Sequence, residues 1–299
     1  MMIDRAPCVV CGSVALRPLR LTLTYGGIRE CSACGSGLLE PRPSLLDLTA
    51  LHGSDDYFNH PYFLERRELT TTVRAACEAK LSRVERSVGS LRNKSIVDVG
   101  CDLGLLVAYA TESRQMTSIG IDIFPKVVEL GRAAGRDLRV GTLESVALPA
   151  ASADMVCGFD LIEHVDDPAR FLREVMRVLK PGGTLALETP NYGGLVYRIG
   201  RWLAALPGTS GLLRPLQERL WPPFHIQYFT QDSLTLLLKT AGFEVVRLEG
   251  RELESSELAV SQPLLRLAVQ SVFALSRAIG ATTLLTAIAR KPALSVIRS

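Results

Sequence analysis

The apolar positions change period along the chain, and the changes mark out alternating strands and helices. From about residue 64 to residue 88 they recur every three or four places (Leu69, Val73, Ala76, Cys77, Leu81, Val84, Val88), the stripe of a helix with one buried face. Ser95 to Val99 is then a short apolar run that stops at Gly100, and Leu105-Leu106-Val107-Ala108 follows almost at once. This reads as a buried strand, a tight turn and a helix start. Thr117 to Ile121 repeats the strand and ends on Asp122, and a helix after Pro125 runs to about Ala134. Leu138 to Val140, Ala153 to Cys157 and Thr184 to Glu188 predict three more strands. Between the last two, Asp167-Pro168 opens a helix as N-cap and first-turn proline. Its stripe is Phe171, Leu172, Val175, Met176 and Leu179, and Lys180-Pro181-Gly182-Gly183 stops it. Thr230 with Ser233 opens another helix that Gly242 ends, and Phe243 to Leu248 and Leu284 to Ala289 predict the last strands. Strand and helix in alternation argue for an α/β fold: a mostly parallel sheet covered on both faces.

The first 45 residues follow a different logic. Leu16 to Thr24 and Ile28 to Cys31 flank Tyr25-Gly26-Gly27, a hairpin signal. Around it stand Cys8-x-x-Cys11-Gly12 and Cys31-x-x-Cys34-Gly35. Two such pairs match the tetrahedral thiolate spacing of a structural zinc ribbon, each turn aiming two sulfurs at one ion and each glycine relieving the turn. Four cysteines make a closed site, so the ion is expected to be structural. The other three cysteines read as core: Cys77 on the helical stripe, Cys157 at a strand end, Cys101 under the loop.

At 299 residues, 47% hydrophobic and 22% charged, the chain can bury one large core and carry a small appended module. The expected division is a ribbon over 1–45, a connector and helix over 46–90, and a main domain over 91–299 with an insertion at 192–224. Net charge is +3, too small to argue for nucleic acid, and is split as +1 over residues 1–90, −3 over 91–189 and +5 over 190–299. The acidic centre suits a cationic cofactor and the basic last third an anionic substrate or surface; scattered solvated charge accounts equally well for the outer segments. Arg5, Pro7 and Cys8 interrupt any apolar leader, and Arg266, Gln270, Ser271 and Arg277 break the apolar stretch from Pro263 to Ala289. A cytoplasmic protein without a transmembrane segment or disulfides is the expectation.

The turn after the first buried strand carries the chemistry. A dinucleotide loop needs G-x-G-x-x-G, and here those positions are Gly100, Asp102 and Leu105. The stretch Val97-Asp98-Val99-Gly100-Cys101-Asp102-Leu103-Gly104 instead resembles the cofactor loop of class I S-adenosylmethionine-dependent methyltransferases, departing once, at Asp102. Aspartate enters left-handed backbone space at modest cost, so the loop is expected to survive the change. The resemblance covers about residues 60–290. It also rests on Gly120-Ile121-Asp122, Glu163-His164-Val165 with Asp167-Pro168, Val178-Leu179-Lys180-Pro181-Gly182-Gly183, Thr189-Pro190-Asn191 and Ala241-Gly242-Phe243. It implies a Rossmann-like seven-stranded sheet and S-adenosylmethionine as cofactor.

By that resemblance Gly100, Cys101 and Gly104 contact the methionine part through backbone and Asp122 takes the ribose hydroxyls. Thr142 stands where an acid commonly meets adenine, and Phe159 and Asp160 line the pocket near the sulfonium. Asp98 is expected to hold the loop by accepting from its amides. Quinone and small-molecule O-methyltransferases carry a similar Glu-His-Val, which points to Glu163 and His164 as proton-handling groups; a plain loop contact is the other reading. His225 and then His60 are further candidates. The aromatic connector over 41–63 is either packed down or a lid. The stripe Leu195, Ile199, Trp202, Leu203, Leu206, with Arg198 and Arg201 beside it, is either a helix closing on the core or a lid for an apolar or anionic acceptor, with peripheral membrane contact compatible. The stripe Leu265, Ala268, Val272, Leu275 of a helix from Pro263 to Ile279 invites the same question and is compatible with a homodimer face. A small-molecule acceptor, methylated on oxygen, leads. Sugar C-methylation, RNA methylation and an inactive zinc-ribbon interaction protein are the alternatives.

Overall fold

A computed structural model describes residues 7–43 apart from 22 and 24, and residues 68–206, 220–253 and 263–293. Residues 44–67, which hold most of the expected connector over 41–63, His60 and the start of the helix expected from about 64, and residues 207–219 of the insertion lie outside the described residues.

The chain opens with three short strands, β1 (Leu16–Pro18), β2 (Gly27–Cys31) and β3 (Gly37–Glu40). Helix α1 (Thr71–Val88) follows; Thr70 caps it by accepting from the Val73 amide. Then come β4 (Ser95–Val99), α2 (Leu105–Arg114), β5 (Thr117–Asp122), α3 (Pro125–Ala133), β6 (Leu138–Val140), the short α4 (Leu143–Val146) and β7 (Ala153–Phe159). A single 3-10 turn, Ile162–His164, leads to α5 (Pro168–Val178), which passes directly into the long strand β8 (Leu179–Pro190). Helix α6 (Leu195–Ala205), β9 (Gln227–Tyr228), α7 (Gln231–Thr240), β10 (Glu244–Arg251), α8 (Pro263–Ala278) and β11 (Leu284–Arg290) complete the described order.

The larger sheet has seven strands in the order β10-β11-β8-β7-β4-β5-β6, all parallel except β11, which runs against both its neighbours. The period-2 alternation of the strands splits the core into two faces. Val97, Val156, Leu185 and Leu187 pack under α5 and α7, where Phe171, Leu172, Val175 and Val178 recur at helical spacing beside Leu234, Leu237 and Leu238. Ile96, Met155, Cys157, Ala186 and Ile288 face the other way, against Cys77, Leu81 and Val84 of α1 and Tyr109 and Ala110 of α2. Each fully buried Leu, Val or Phe on these faces contributes about 1.5–3 kcal/mol. Asp167 caps α5 by accepting from the Arg170 amide at 2.8 Å, with Pro168 in the first turn.

Strand β4 lies between β5 and β7, so the chain leaves it toward one edge and later returns on the other side. At such a switch of strand order the loops diverge and leave a crevice beyond the carboxyl ends of the strands.

The three N-terminal strands form a second, antiparallel sheet, whose fourth strand is β9 of the main domain. Gly37 pairs with Tyr228 and Leu38 with Gln227. Behind it, Leu21, Leu23, Ile28 and Leu39 pack with Tyr192, Tyr197, Trp221, Ile226 and Tyr228 in one cluster. Glu30 accepts from Tyr192 Oη and Arg201, both at 2.8 Å.

Helix α6 turns differently from its hydropathy. Tyr197 and Gly200 are its buried positions, whereas Trp202 of the expected apolar stripe is 63% exposed. A Cβ on Gly200 would lie 2.6 Å from Leu220 Cδ1 and 3.0 Å from the Trp221 ring. The helix approaches Trp221 through the one residue without a side chain, and that close contact fixes its rotation.

Candidate functional site

The loop from β4 to α2 is built on three left-handed residues: Gly100 and Gly104 at φ 72° and Asp102 at φ 49°. Asp102 thus takes the backbone conformation that glycine would take there, and the loop closes. Gly100 N and Cys101 N donate to Ile121 O at 2.8 and 3.2 Å, which ties the loop to the end of β5. The carboxylate that holds it is Asp122: Oδ2 accepts from the Asp102 amide at 2.8 Å and Oδ1 from Phe124 N at 3.0 Å. This corrects the expectation for Asp98. Among the described contacts Asp98 Oδ1 accepts from the Cys157 thiol at 3.3 Å, and burial pushes its carboxyl up to about 6. Cys101 points down into a cluster with Leu103, Val107, Val127, Val128 and Leu138, its thiol donating to Asp102 O at 3.6 Å. Burial raises its thiol far above the ordinary value.

Across the crevice, Thr142 follows β6 and caps α4, its Oγ1 accepting from Ser145 N at 3.2 Å. Phe159 ends β7. Lys80 of α1 lies 4.8 Å from the centroid of its ring and 3.6 Å from the Asp160 carboxylate. Lys80 was missed in the sequence: one lysine on an amphipathic helix carries no signal of what it covers. Asp160 holds φ at 58°, an uncommon conformation for a residue with a side chain, with its amide donating to Glu188 O at 2.9 Å. Leu161 then packs against the cofactor loop, since a Cβ on Gly100 would meet its Cδ1 at 2.9 Å.

The 3-10 turn that follows Asp160 and Leu161 carries Glu163 and His164, and the segment before β9 brings His225 beside them. The His164 and His225 rings meet edge to face at 4.8 Å. His164 Nδ1 donates to Phe224 O at 2.8 Å, which leaves the lone pair on Nε2. Ile226 N donates to Glu163 O at 2.9 Å, stitching the two segments together. Glu163 is 1% exposed, and burial, followed by the charge of Asp160, pushes its carboxyl up to about 8.

At the N-terminal end, Cys8, Cys11, Cys31 and Cys34 bring their sulfurs within 4.8 Å of one another, with Cys8–Cys34 and Cys11–Cys31 both at 3.6 Å. A tetrahedral ion with bonds of about 2.3 Å sets sulfurs about 3.8 Å apart, so the four thiols fit such an ion. Gly12 and Gly35 close the two turns at φ 73° and 74°, their amides donating to Cys8 O and Cys31 O at 2.8 Å.

A sequence profile for a methyltransferase domain matches residues 54–248. The chain is 30% identical over 205 residues to a probable S-adenosylmethionine-dependent methyltransferase of Mycolicibacterium smegmatis, an overlap of 68% of this chain and 67% of that protein. It is 28% identical over 181 residues to the ubiquinone biosynthesis O-methyltransferase of Bordetella bronchiseptica, 58% of this chain and 71% of the relative. It spans about half, 51%, of two Mycobacterium tuberculosis relatives. A SAM-dependent methyltransferase structure from Archaeoglobus fulgidus aligns at TM-score 0.53 and 21% identity, over 78% of this chain and all of that one, a likeness of fold. No helix among the described residues is long and apolar enough to cross a membrane.

Proposed function

Because the chain belongs to the class I S-adenosylmethionine-dependent methyltransferases, we propose that it methylates a hydroxyl oxygen of a small molecule seated beside Glu163, His164 and His225. The observation that carries this reading is the joining of those three groups, from two distant segments, at the carboxyl end of β7 beside the cofactor loop. The O-methyltransferase relatives, at 28–30% identity, point the same way.

S-adenosylmethionine supplies an electrophilic methyl: the acceptor oxygen bonds to it as the carbon–sulfur bond breaks and the electron pair stays on sulfur. The protein's part is alignment, exclusion of water and removal of the hydroxyl proton. Gly100, Cys101 and Gly104 offer backbone to the methionine portion. Asp122 holds the loop and takes the ribose hydroxyls with two oxygens that each accept twice. Thr142 lies toward adenine, and Phe159 and Asp160 toward the sulfonium. Glu163, His164 and His225 carry the hydroxyl proton away. In the same proposal Cys8, Cys11, Cys31 and Cys34 hold a structural Zn2+ in a ribbon over residues 1–45, and 91–299 forms the catalytic domain.

Incubation with methyl-labelled S-adenosylmethionine and a panel of phenols and alcohols tests the reaction. The expected product carries the label as an O-methyl group, identified by NMR and by its mass; a label on carbon or nitrogen overturns the assignment. For the cofactor site, Asp122→Ala removes a charged acceptor whose hydrogen bonds are worth about 1.5–3 kcal/mol each. Its S-adenosylmethionine affinity by calorimetry should fall roughly a hundredfold, and an unchanged affinity would remove Asp122 from the site.

A further inference from the structure

The methyl-transfer reading leaves part of the Glu163 cluster unexplained. Ligand-capable atoms of Glu163, His164 and His225 lie within 4.8 Å of one another. Glu163 is almost fully buried, and its Oε2 makes no hydrogen bond of good geometry among the described residues, the Thr189 hydroxyl acting on the carboxyl only weakly. A buried carboxyl oxygen in that state is costly unless a proton or a cation meets it. His164 is held through Nδ1 by the Phe224 carbonyl, the arrangement that in the neutral ring puts the Nε2 lone pair on the side available to a metal. The backbone beneath all three is fixed by Ile226 N to Glu163 O at 2.9 Å and His225 N to Pro222 O at 3.1 Å. Both imidazoles are only partly buried, so the cluster is closed behind Glu163 and open in front.

We propose that Glu163, His164 and His225 form a binding site for a first-row divalent cation, one carboxylate and two imidazoles on one side and open positions on the other. Two nitrogens and one oxygen suit Mn2+, Fe2+, Co2+ or Zn2+; Mg2+ and Ca2+ favour oxygen alone. The site differs in kind from the four-thiol cluster, which is closed and soft. Its role rests on the methyl-transfer reading and replaces direct proton transfer to these three side chains: an acceptor hydroxyl in an open position is polarised, its pKa falls, and its proton leaves to water past the exposed imidazole edges.

Titration of protein carrying one equivalent of Zn2+ with Mn2+, followed by the EPR signal of free Mn2+, separates this site from the thiol cluster, for which Mn2+ is a poor competitor. Wild type should take up one Mn2+ per chain. Glu163→Gln and His225→Ala should each weaken that uptake by roughly tenfold or more, with S-adenosylmethionine affinity and circular dichroism unchanged. No uptake by wild type, or equal uptake by wild type and both correctly folded variants, overturns the proposal. If a variant does not fold, imidazole nitrogen couplings in the pulsed EPR spectrum of wild-type Mn2+ decide instead: their presence supports the site and their absence overturns it. The two readings fail separately. O-methylation by protein that takes up no Mn2+ removes the ion and keeps the reaction; uptake without transfer to any hydroxyl does the reverse.

Discussion

If the four thiols hold zinc as proposed, replacing Cys31 with serine should abolish that binding and open the N-terminal sheet. The expected size is set by the metal: a structural zinc contributes about 10–16 kcal/mol to the folding of a small module. The strands around it supply little in its place, since β1 has three residues and β3 four. Leu21, Leu23, Ile28 and Leu39 cover Trp221, which is fully buried, so loosening the sheet wets that indole. The chain has two tryptophans, and Trp202 is already 63% exposed, so a red shift of emission reports Trp221. Metal analysis should give one zinc fewer per chain, and strong chelators should produce the same shift in wild type. Full zinc content with unshifted emission in Cys31→Ser would refute the four-thiol site.

Glu188→Ala should cost about 3–5 kcal/mol of stability, the penalty for removing one partner of a buried ion pair. Glu188 is 0% exposed on β8. Its carboxylate accepts from Arg251 at 2.6 and 2.8 Å, from Arg83 at 3.3 Å and from Thr286 at 3.1 Å. One side chain thus joins β8, β10, β11 and α1, and alanine would leave two guanidinium groups facing each other in a dry site. Glu188→Gln, which keeps the shape without the charge, should fall between. Burial pushes this carboxyl up, but Arg251, Lys80 and Arg83 outweigh it and hold it below the ordinary glutamate value. A carboxyl lowered in the folded state stabilises above its unfolded pKa of about 4.3 and loses that contribution as pH falls through the folded value. The gap between wild type and Glu188→Ala in urea midpoints should therefore be full at neutral pH and narrow in acid. A gap below about 1 kcal/mol at pH 7 would show that the network contributes no more than a surface pair.

The parts of the fold that were legible in the sequence are those whose signal is local. The strands at 95–99, 117–122 and 138–140 are short apolar runs, and Asp167 and Thr230 announce their helices through the caps they form. Strands β3 and β9 gave no such signal: β3 is four residues held by β2 on one side, and the two residues of β9 become a strand by finding the other edge of β3, far away in the sequence. The rotation of α6 was hidden because a hydropathy stripe gives glycine no weight, whereas packing against Trp221 selects Gly200. Within the site, the sequence placed Asp98 and Asp122 at strand ends but held no information on which carboxylate faces the loop amides. Glu163 and His164 were adjacent and visible; that His225 joins them depends on the Ile226–Glu163 hydrogen bond, which closes a long stretch of chain.

The shared edge between β3 and β9 also sets a schedule. Residues 37–40 are synthesised about 190 residues before the strand that completes their sheet, roughly ten seconds or more at about 5–20 residues per second. During that interval the nascent chain presents an unpaired strand edge and the apolar side chains of Leu21, Ile28 and Leu39 without their cover. Under the zinc proposal, all four ligands, Cys8, Cys11, Cys31 and Cys34, lie in this early segment, so capture of the ion needs no later ligand. It can clamp the early segment on the ribosome, so that zinc supply during translation, more than in the finished protein, would govern how much of the chain reaches the native state.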